Sequence, residues 1–286
     1  MGRNKAEVKT KKPRLGQNFL VDESAITRIA AALGDISQAT VIEIGPGRAA
    51  LTRILSRQAG RLIAIELDRV LAAQLRMVFS HHSNVEILEA DVLQTDLTTI
   101  LGAPVGPLRD LRPTELPRGR VVGNLPYYIT SDILLHLFKF ANRLESAVLM
   151  TQLEVADRIT ATPGHSEYGM LSATTQMYAR AEKLFTLPGS AFDPPPSVNS
   201  AVTRLVFAPR FEELGVDEAG FIAFLRVIFA FKRKTLANNL KDHYPKNAIG
   251  KALSGNGIPL AIRAEAVSLP QMAALYRELG RPEVAS

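Results

Sequence analysis

Between residues 40 and 150, five short apolar, β-branched runs recur with helical stretches among them, and this alternation constrains the fold most. The runs cover residues 40–44, 61–65, 85–88, 120–122 and 147–150. After the first, Leu51, Ile54 and Leu55 mark one face of a helix; after the second, residues 68–79 read as another. Apolar strands joined through helices need cover on both sheet faces, which predicts a parallel sheet in an α/β fold. A helix over residues 22–33 is expected ahead of the sheet. Asp22 can cap it, and Ile26, Ile29, Ala30 and Leu33 fall on one stripe.

The pattern changes after Ala208. Helices are expected over residues 217–231, 232–241 and 268–279, the last with Leu269, Met272, Ala273 and Tyr276 on one face. The natural division is residues 1–208, a sheet domain with a basic tail, and residues 209–286, a small all-helical domain. Residues 102–119 hold four prolines and three glycines, a composition that predicts a surface excursion. No internal repeat is visible.

With 286 residues, 47% of them hydrophobic, the chain can bury a substantial core. The absence of cysteine excludes disulfides, thiolate metal sites and cysteine nucleophiles. The five histidines show no ligand spacing with a carboxylate, so no metal site is expected. No apolar run is long enough to span a bilayer and no secretory signal is visible, so a cytoplasmic protein is expected.

Three features stand at successive strand ends. The first strand runs into Gly45-Pro46-Gly47-Arg48-Ala49-Ala50, a G-x-G-x-x-A turn that lets a ligand approach the main chain. Glu66 ends the second strand, 21 residues after Gly45, where an acid can accept from both hydroxyls of a ribose. Asp91 ends the third, where it can accept from an adenine amine. This spacing suits NAD and S-adenosylmethionine equally, because both present adenosine. Tight-turn glycines and solvated acids are the plain alternative for each feature alone.

The fourth strand ends in Asn124-Leu125-Pro126-Tyr127. Here the chain resembles the amino-group N-methyltransferases with [D/N/S]-P-P-[Y/F]-type motifs. Among these it is similar to the KsgA-type ribosomal RNA adenine N6-dimethyltransferases. Gly16-Gln17-Asn18-Phe19-Leu20, the run from Phe192 to Val198 and the run from Phe231 to Leu236 carry the same resemblance. It spans both expected domains, from about Leu15 to Leu240. One departure is Tyr128, where the family often has asparagine.

The resemblance implies a Rossmann-like methyltransferase sheet that binds S-adenosylmethionine. It assigns Asn18 and Leu20 to the cofactor beside Gly45, Gly47, Glu66, Asp91 and Asn124. The chemistry of an aromatic amine agrees with it. The lone pair of the adenine N6 is delocalised into the ring, and two acceptors for its N–H groups would favour a pyramidal nitrogen. The Asn124 side-chain oxygen and the carbonyl of Leu125 or Pro126 are the candidates. Tyr127 offers a flat face for the extruded base, and Phe192 is a candidate for the second face.

Charge supports a polyanionic partner. Lysine and arginine number 34 against 28 acids. Six of these cations lie within residues 1–14, and Arg226, Lys232, Arg233, Lys234, Lys241, Lys246 and Lys251 cluster further on. Of these, Arg226, Lys232, Arg233, Lys234 and Lys241 are the expected RNA contacts, although a solvated basic face accounts for any one of them. The resemblance implies small-subunit rRNA in an immature ribosomal subunit as the partner, two adjacent adenines near its 3′ end as the target, and a monomeric enzyme. The rival readings are a large-subunit rRNA adenine N6-methyltransferase, an NAD-dependent oxidoreductase and a non-catalytic rRNA-binding assembly factor.

Overall fold

The computed structural model describes residues 18–102 and 118–282. Residues 1–14 and the bulk of the proline-rich segment 102–119 lie outside them. A seven-stranded sheet forms the centre, with order β4-β3-β2-β5-β6-β9-β7. In chain order, β1 is Phe19–Leu20, β2 Thr40–Ile44, β3 Arg61–Glu66, β4 Val85–Glu89 and β5 Gly119–Asn124. They are followed by β6 Leu144–Gln152, β7 Ala179–Leu187, β8 Phe192–Asp193 and β9 Ser200–Phe207.

The expected parallel sheet is present from β2 to β6. Beyond β6 the sheet is mixed, because β9 runs antiparallel to both β6 and β7. All five expected runs are parallel strands, and the antiparallel β7 and β9 lie beyond them. Strands β1 and β8 form a separate antiparallel pair, with Leu20 opposite Phe192 and Phe19 opposite Asp193.

Successive strand residues point to opposite faces, and both faces are covered. On one face Val41, Leu62, Val122 and Val148 pack with Ile26 and Ile29 of the helix Glu23–Ala31 and with Leu55 of Thr52–Gln58. On the other, Ile42, Ile63, Val121 and Ala147 pack with Ile133, Leu134 and Leu137 of the helix Thr130–Phe138. Asp22 and Asp68 cap Glu23–Ala31 and Arg69–Val78, so these helices begin one residue inside their expected ranges.

After Phe207 the described elements are helical: Phe211–Leu214, Glu218–Ile228, Leu236–Leu240, Lys246–Gly255 and Leu269–Leu279, with a short 3₁₀ turn Ala264–Ala266. The expected helix over 232–241 is shorter. Lys232, Arg233 and Lys234 stand in a turn, and Thr235 caps Leu236–Leu240 through a 3.3 Å bond from the Asn238 N–H. The hydroxyl of Thr235 competes for the backbone there, so the second helix starts at Leu236 and not at Lys232.

Candidate active site

The sheet order reverses at β2, which has β3 on one side and β5 on the other. Ile44 pairs with both Ile65 and Gly123, so the carboxyl ends of the three strands lie level. Open α/β sheets bind ligands at such a crevice. Asn18, Leu20, Gly45, Gly47, Glu66, Asp91 and Asn124 all line one cleft there, together with Leu125, Pro126 and Tyr127.

The first turn explains its own glycines. Gly45 and Gly47 have φ of 65° and 55°, in the left-handed region where a side chain is strained. The Gly47 N–H donates to Oε2 of Glu66 at 3.0 Å, and the Asp68 N–H donates to Oε1 at 2.9 Å. These two bonds fix the Glu66 carboxylate at the end of β3, with only 4% of the residue exposed. At the end of β4, Oδ1 of Asp91 accepts from the Leu93 N–H at 2.9 Å, which anchors that carboxylate in turn.

Sequence reasoning missed Glu43. It lies in β2, 2% exposed, and borders the same cleft. Its Oε2 has no hydrogen-bond partner among the described residues. Burial pushes its carboxyl up to about 8, with the Glu66 carboxylate adding to the rise and Thr52 opposing it. The available signal was one acid inside the apolar run Thr-Val-Ile-Glu-Ile. Glu66 and Asp91 make the cleft acidic, and Glu43 adds negative charge only when it ionises. Arg48, the cation bordering it, is engaged elsewhere: its guanidinium lies 4.2 Å above the Phe19 ring and pairs with Asp193 Oδ2 at 3.1 Å. An acidic lining suits a ligand carrying ammonium or sulfonium charge and disfavours a pyrophosphate.

The Asn124–Tyr127 turn is built around its polar atoms. The Asn124 Nδ2 donates to the Asn18 carbonyl at 2.8 Å, which leaves the side-chain oxygen as the group that can accept. The Pro126 carbonyl accepts from the Ile129 N–H at 3.2 Å and the Thr130 hydroxyl at 3.1 Å, so both of its lone pairs are engaged at the start of the next helix. Of the two carbonyls considered from sequence, that of Leu125 has no such bond among the described residues. The Leu125 N–H itself donates to the Met150 carbonyl at 3.0 Å and ties the turn to β6. The Tyr127 hydroxyl shares a 2.7 Å bond with Ser200 Oγ.

Phe192 is placed differently from its expected role. It is 3% exposed, belongs to the core with Leu20, Leu187 and Val202, and does not line the cleft. Alternation along β8 turns Phe192 inward and leaves Asp193 outside to meet Arg48. The second stacking face expected at Phe192 is therefore not supplied by that ring. Tyr128, the residue after the motif, borders the cleft and is 62% exposed.

The five expected RNA contacts are all exposed. Arg226 lies on Glu218–Ile228, the three cations Lys232, Arg233 and Lys234 occupy one turn, and Lys241 follows Leu236–Leu240. Among the described residues no helix is long and apolar enough to cross a membrane, and no three His, Asp or Glu side chains cluster as metal ligands would.

Comparison with known proteins agrees with this geometry. Residues 8–280 match the ribosomal RNA adenine dimethylase family. The chain is 55% identical over 279 residues to the ribosomal RNA small subunit methyltransferase A of Koribacter versatilis, covering 98% of each. Among solved structures, the 23S rRNA methyltransferase ErmE superposes with a TM-score of 0.69 at 27% identity, over 92% of this chain and 100% of that one. A dimethyladenosine transferase from Plasmodium falciparum gives 0.73 at 24% identity, over 91% and 96%, and shares the fold.

Proposed function

The chain belongs to the ribosomal RNA adenine dimethylase family, and from that premise we propose that it dimethylates the N6 amines of two adjacent adenines in the 3′-terminal hairpin loop of small-subunit rRNA. S-adenosylmethionine, when bound, supplies a methyl carbon made electrophilic by its sulfonium. Gly45, Gly47, Glu66 and Asp91 would hold its adenosine. The buried Glu43 would face its cationic end, where positive charge favours the ionised carboxyl.

One observation carries the catalytic reading: the Asn18 carbonyl fixes the Asn124 amide while Pro126 spends its carbonyl on the helix start. This leaves the Asn124 side-chain oxygen and the Leu125 carbonyl to accept the two N–H groups of the target amine. Neither carries charge, so they orient the nitrogen lone pair and do not deprotonate it. Tyr127, tethered through its hydroxyl to Ser200, would present its ring to the flipped base. The 55% identity to a small-subunit enzyme favours the small-subunit target over the large-subunit one suggested by the likeness to ErmE. An oxidoreductase reading leaves the Asn124–Tyr127 turn without a task.

Labelled methyl transfer to undermethylated small and large ribosomal subunits tests the proposal. Label is expected in dimethyladenosine of the small subunit; label confined to the large subunit would reject the assignment. Asn124→Ala is expected to lower transfer on the order of 10²-fold or more, as loss of an aligned hydrogen-bonding group in a catalytic site does. Binding of small subunits should persist. Turnover near the wild-type rate would reject the proposed role of Asn124.

A further inference from the structure

Of the twelve phenylalanines, all among the described residues, Phe231 alone is exposed, at 55%. Its neighbour two residues earlier behaves in the opposite way. Phe229 is half-buried with its ring 5.9 Å from that of Tyr168, in an edge-on contact. Phe231 is therefore turned outward although the core lies within reach of the same turn.

The turn is built to hold that position. Asn239, 5% exposed, sends its Nδ2 to the Ile228 carbonyl at 2.6 Å and the Phe231 carbonyl at 3.3 Å. The Lys234 N–H donates to the same Phe231 carbonyl at 3.1 Å. Lys232 reaches across to the Ser166 carbonyl at 2.8 Å. Lys234 lays its ammonium 4.1 Å from the Phe231 ring centroid. The outcome is an aromatic ring on a stiff turn, followed at once by Lys232, Arg233 and Lys234.

An exposed ring among cations is the combination that single-stranded nucleic acid recognises: the ring takes a base face and the cations take phosphates. We propose that Phe231 stacks on an unpaired nucleobase of the RNA partner, outside the catalytic cleft. This rests on the rRNA reading of the function and adds to it a contact with a base, where the cations alone would give only contacts with the backbone.

The experiment measures binding of the full chain to undermethylated small ribosomal subunits across a salt series. Methyl transfer by the wild type to the same subunits reports separately on the rRNA reading. Phe231→Ala is expected to weaken binding roughly ten-fold, with an unchanged salt slope, because no charge is removed. Phe231→Tyr and Phe231→Trp should restore affinity, and Phe231→Leu should not, since an aliphatic side chain fills an apolar pocket but does not stack. Changing Lys232, Arg233 and Lys234 together to Gln should reduce the salt slope by about 2, as loss of three phosphate contacts to a single strand does. Thermal unfolding confirms that each variant is folded. Affinity of Phe231→Ala within two-fold of wild type, rescue by Leu, or a salt slope lowered by Phe231→Ala would each overturn the proposal.

Discussion

Glu43 shows how one residue can be conspicuous in a sequence and still be passed over. It interrupts an apolar strand, and the strand buries it beside Glu66 with one oxygen unpartnered. Removal from water drives the carboxyl from its ordinary 4.5 up to about 8. The folded chain therefore holds this proton more tightly than the unfolded chain. The associated stability is complete below pH 4.5 and is lost as pH rises toward 8. Glu43→Gln keeps the shape without the titration. Its melting temperature, compared with wild type, should rise progressively between pH 5 and pH 8 when followed by circular dichroism. A difference that stays constant with pH would show that the carboxyl titrates normally in the fold. Asn124 and Glu66 were legible because they close strands and carry polar groups where apolar ones are expected. Phe192 was not, because an aromatic beside a proline-rich turn looks the same in sequence whether it faces a ligand or the core.

At the scale of elements, the turn after β2 makes a specific demand on its backbone. Gly47 has positive φ, and a Cβ there would stand 3.0 Å from two atoms of the Phe19 ring. Gly47→Ala should cost about 1–2 kcal/mol in left-handed strain alone. It should also displace Phe19, and with it the Arg48 guanidinium lying over that ring. The expected result is a lower melting temperature together with weaker S-adenosylmethionine binding by calorimetry; wild-type values for both would show that the turn yields freely. The strands β2 to β5 were legible because each is a short apolar run closed by glycine, acid or asparagine. Strands β7 and β9 were not. The helix Met170–Tyr178 passes into β7 without a glycine or proline to mark the change. Strand β7 also carries Arg180, Glu182 and Lys183 along an edge, where half the residues face water and the apolar run disappears. The three-residue turn at Lys232 was hidden for a related reason: its stop signal is the side-chain oxygen of Thr235, which acts only once the backbone has bent.

The molecule as a whole raises the question of how independent the two expected domains are. The described elements change from strands to helices after Phe207, yet the apolar core does not stop there. Leu205 and Phe207 of β9 share one buried cluster with Phe221, Phe224 and Leu225 of the helix Glu218–Ile228. Tyr178 joins the two parts. Its ring stacks 4.8 Å from Phe138, meets Phe211 edge-on at 5.1 Å, and its hydroxyl donates to Oε1 of Glu218 at 2.7 Å. Main-chain bonds run from Arg210 to the Met177 carbonyl and from Gly164 to the Glu265 carbonyl, at 2.9 and 2.8 Å. Shared apolar contact makes separate melting costly, because either part alone would expose the rings that join them. We therefore expect one cooperative calorimetric transition for the full chain. A chain ending at Ala208 should melt at a lower temperature and bind a hydrophobic dye, because Tyr178 and Phe138 lose their cover. Two resolved transitions in the full chain, with the earlier removed by the truncation, would instead show helices that merely rest against the sheet. The distinction bears on the proposed RNA contact, since the cationic turn at Phe231 would hold RNA in register with the cleft only if both parts move as one body.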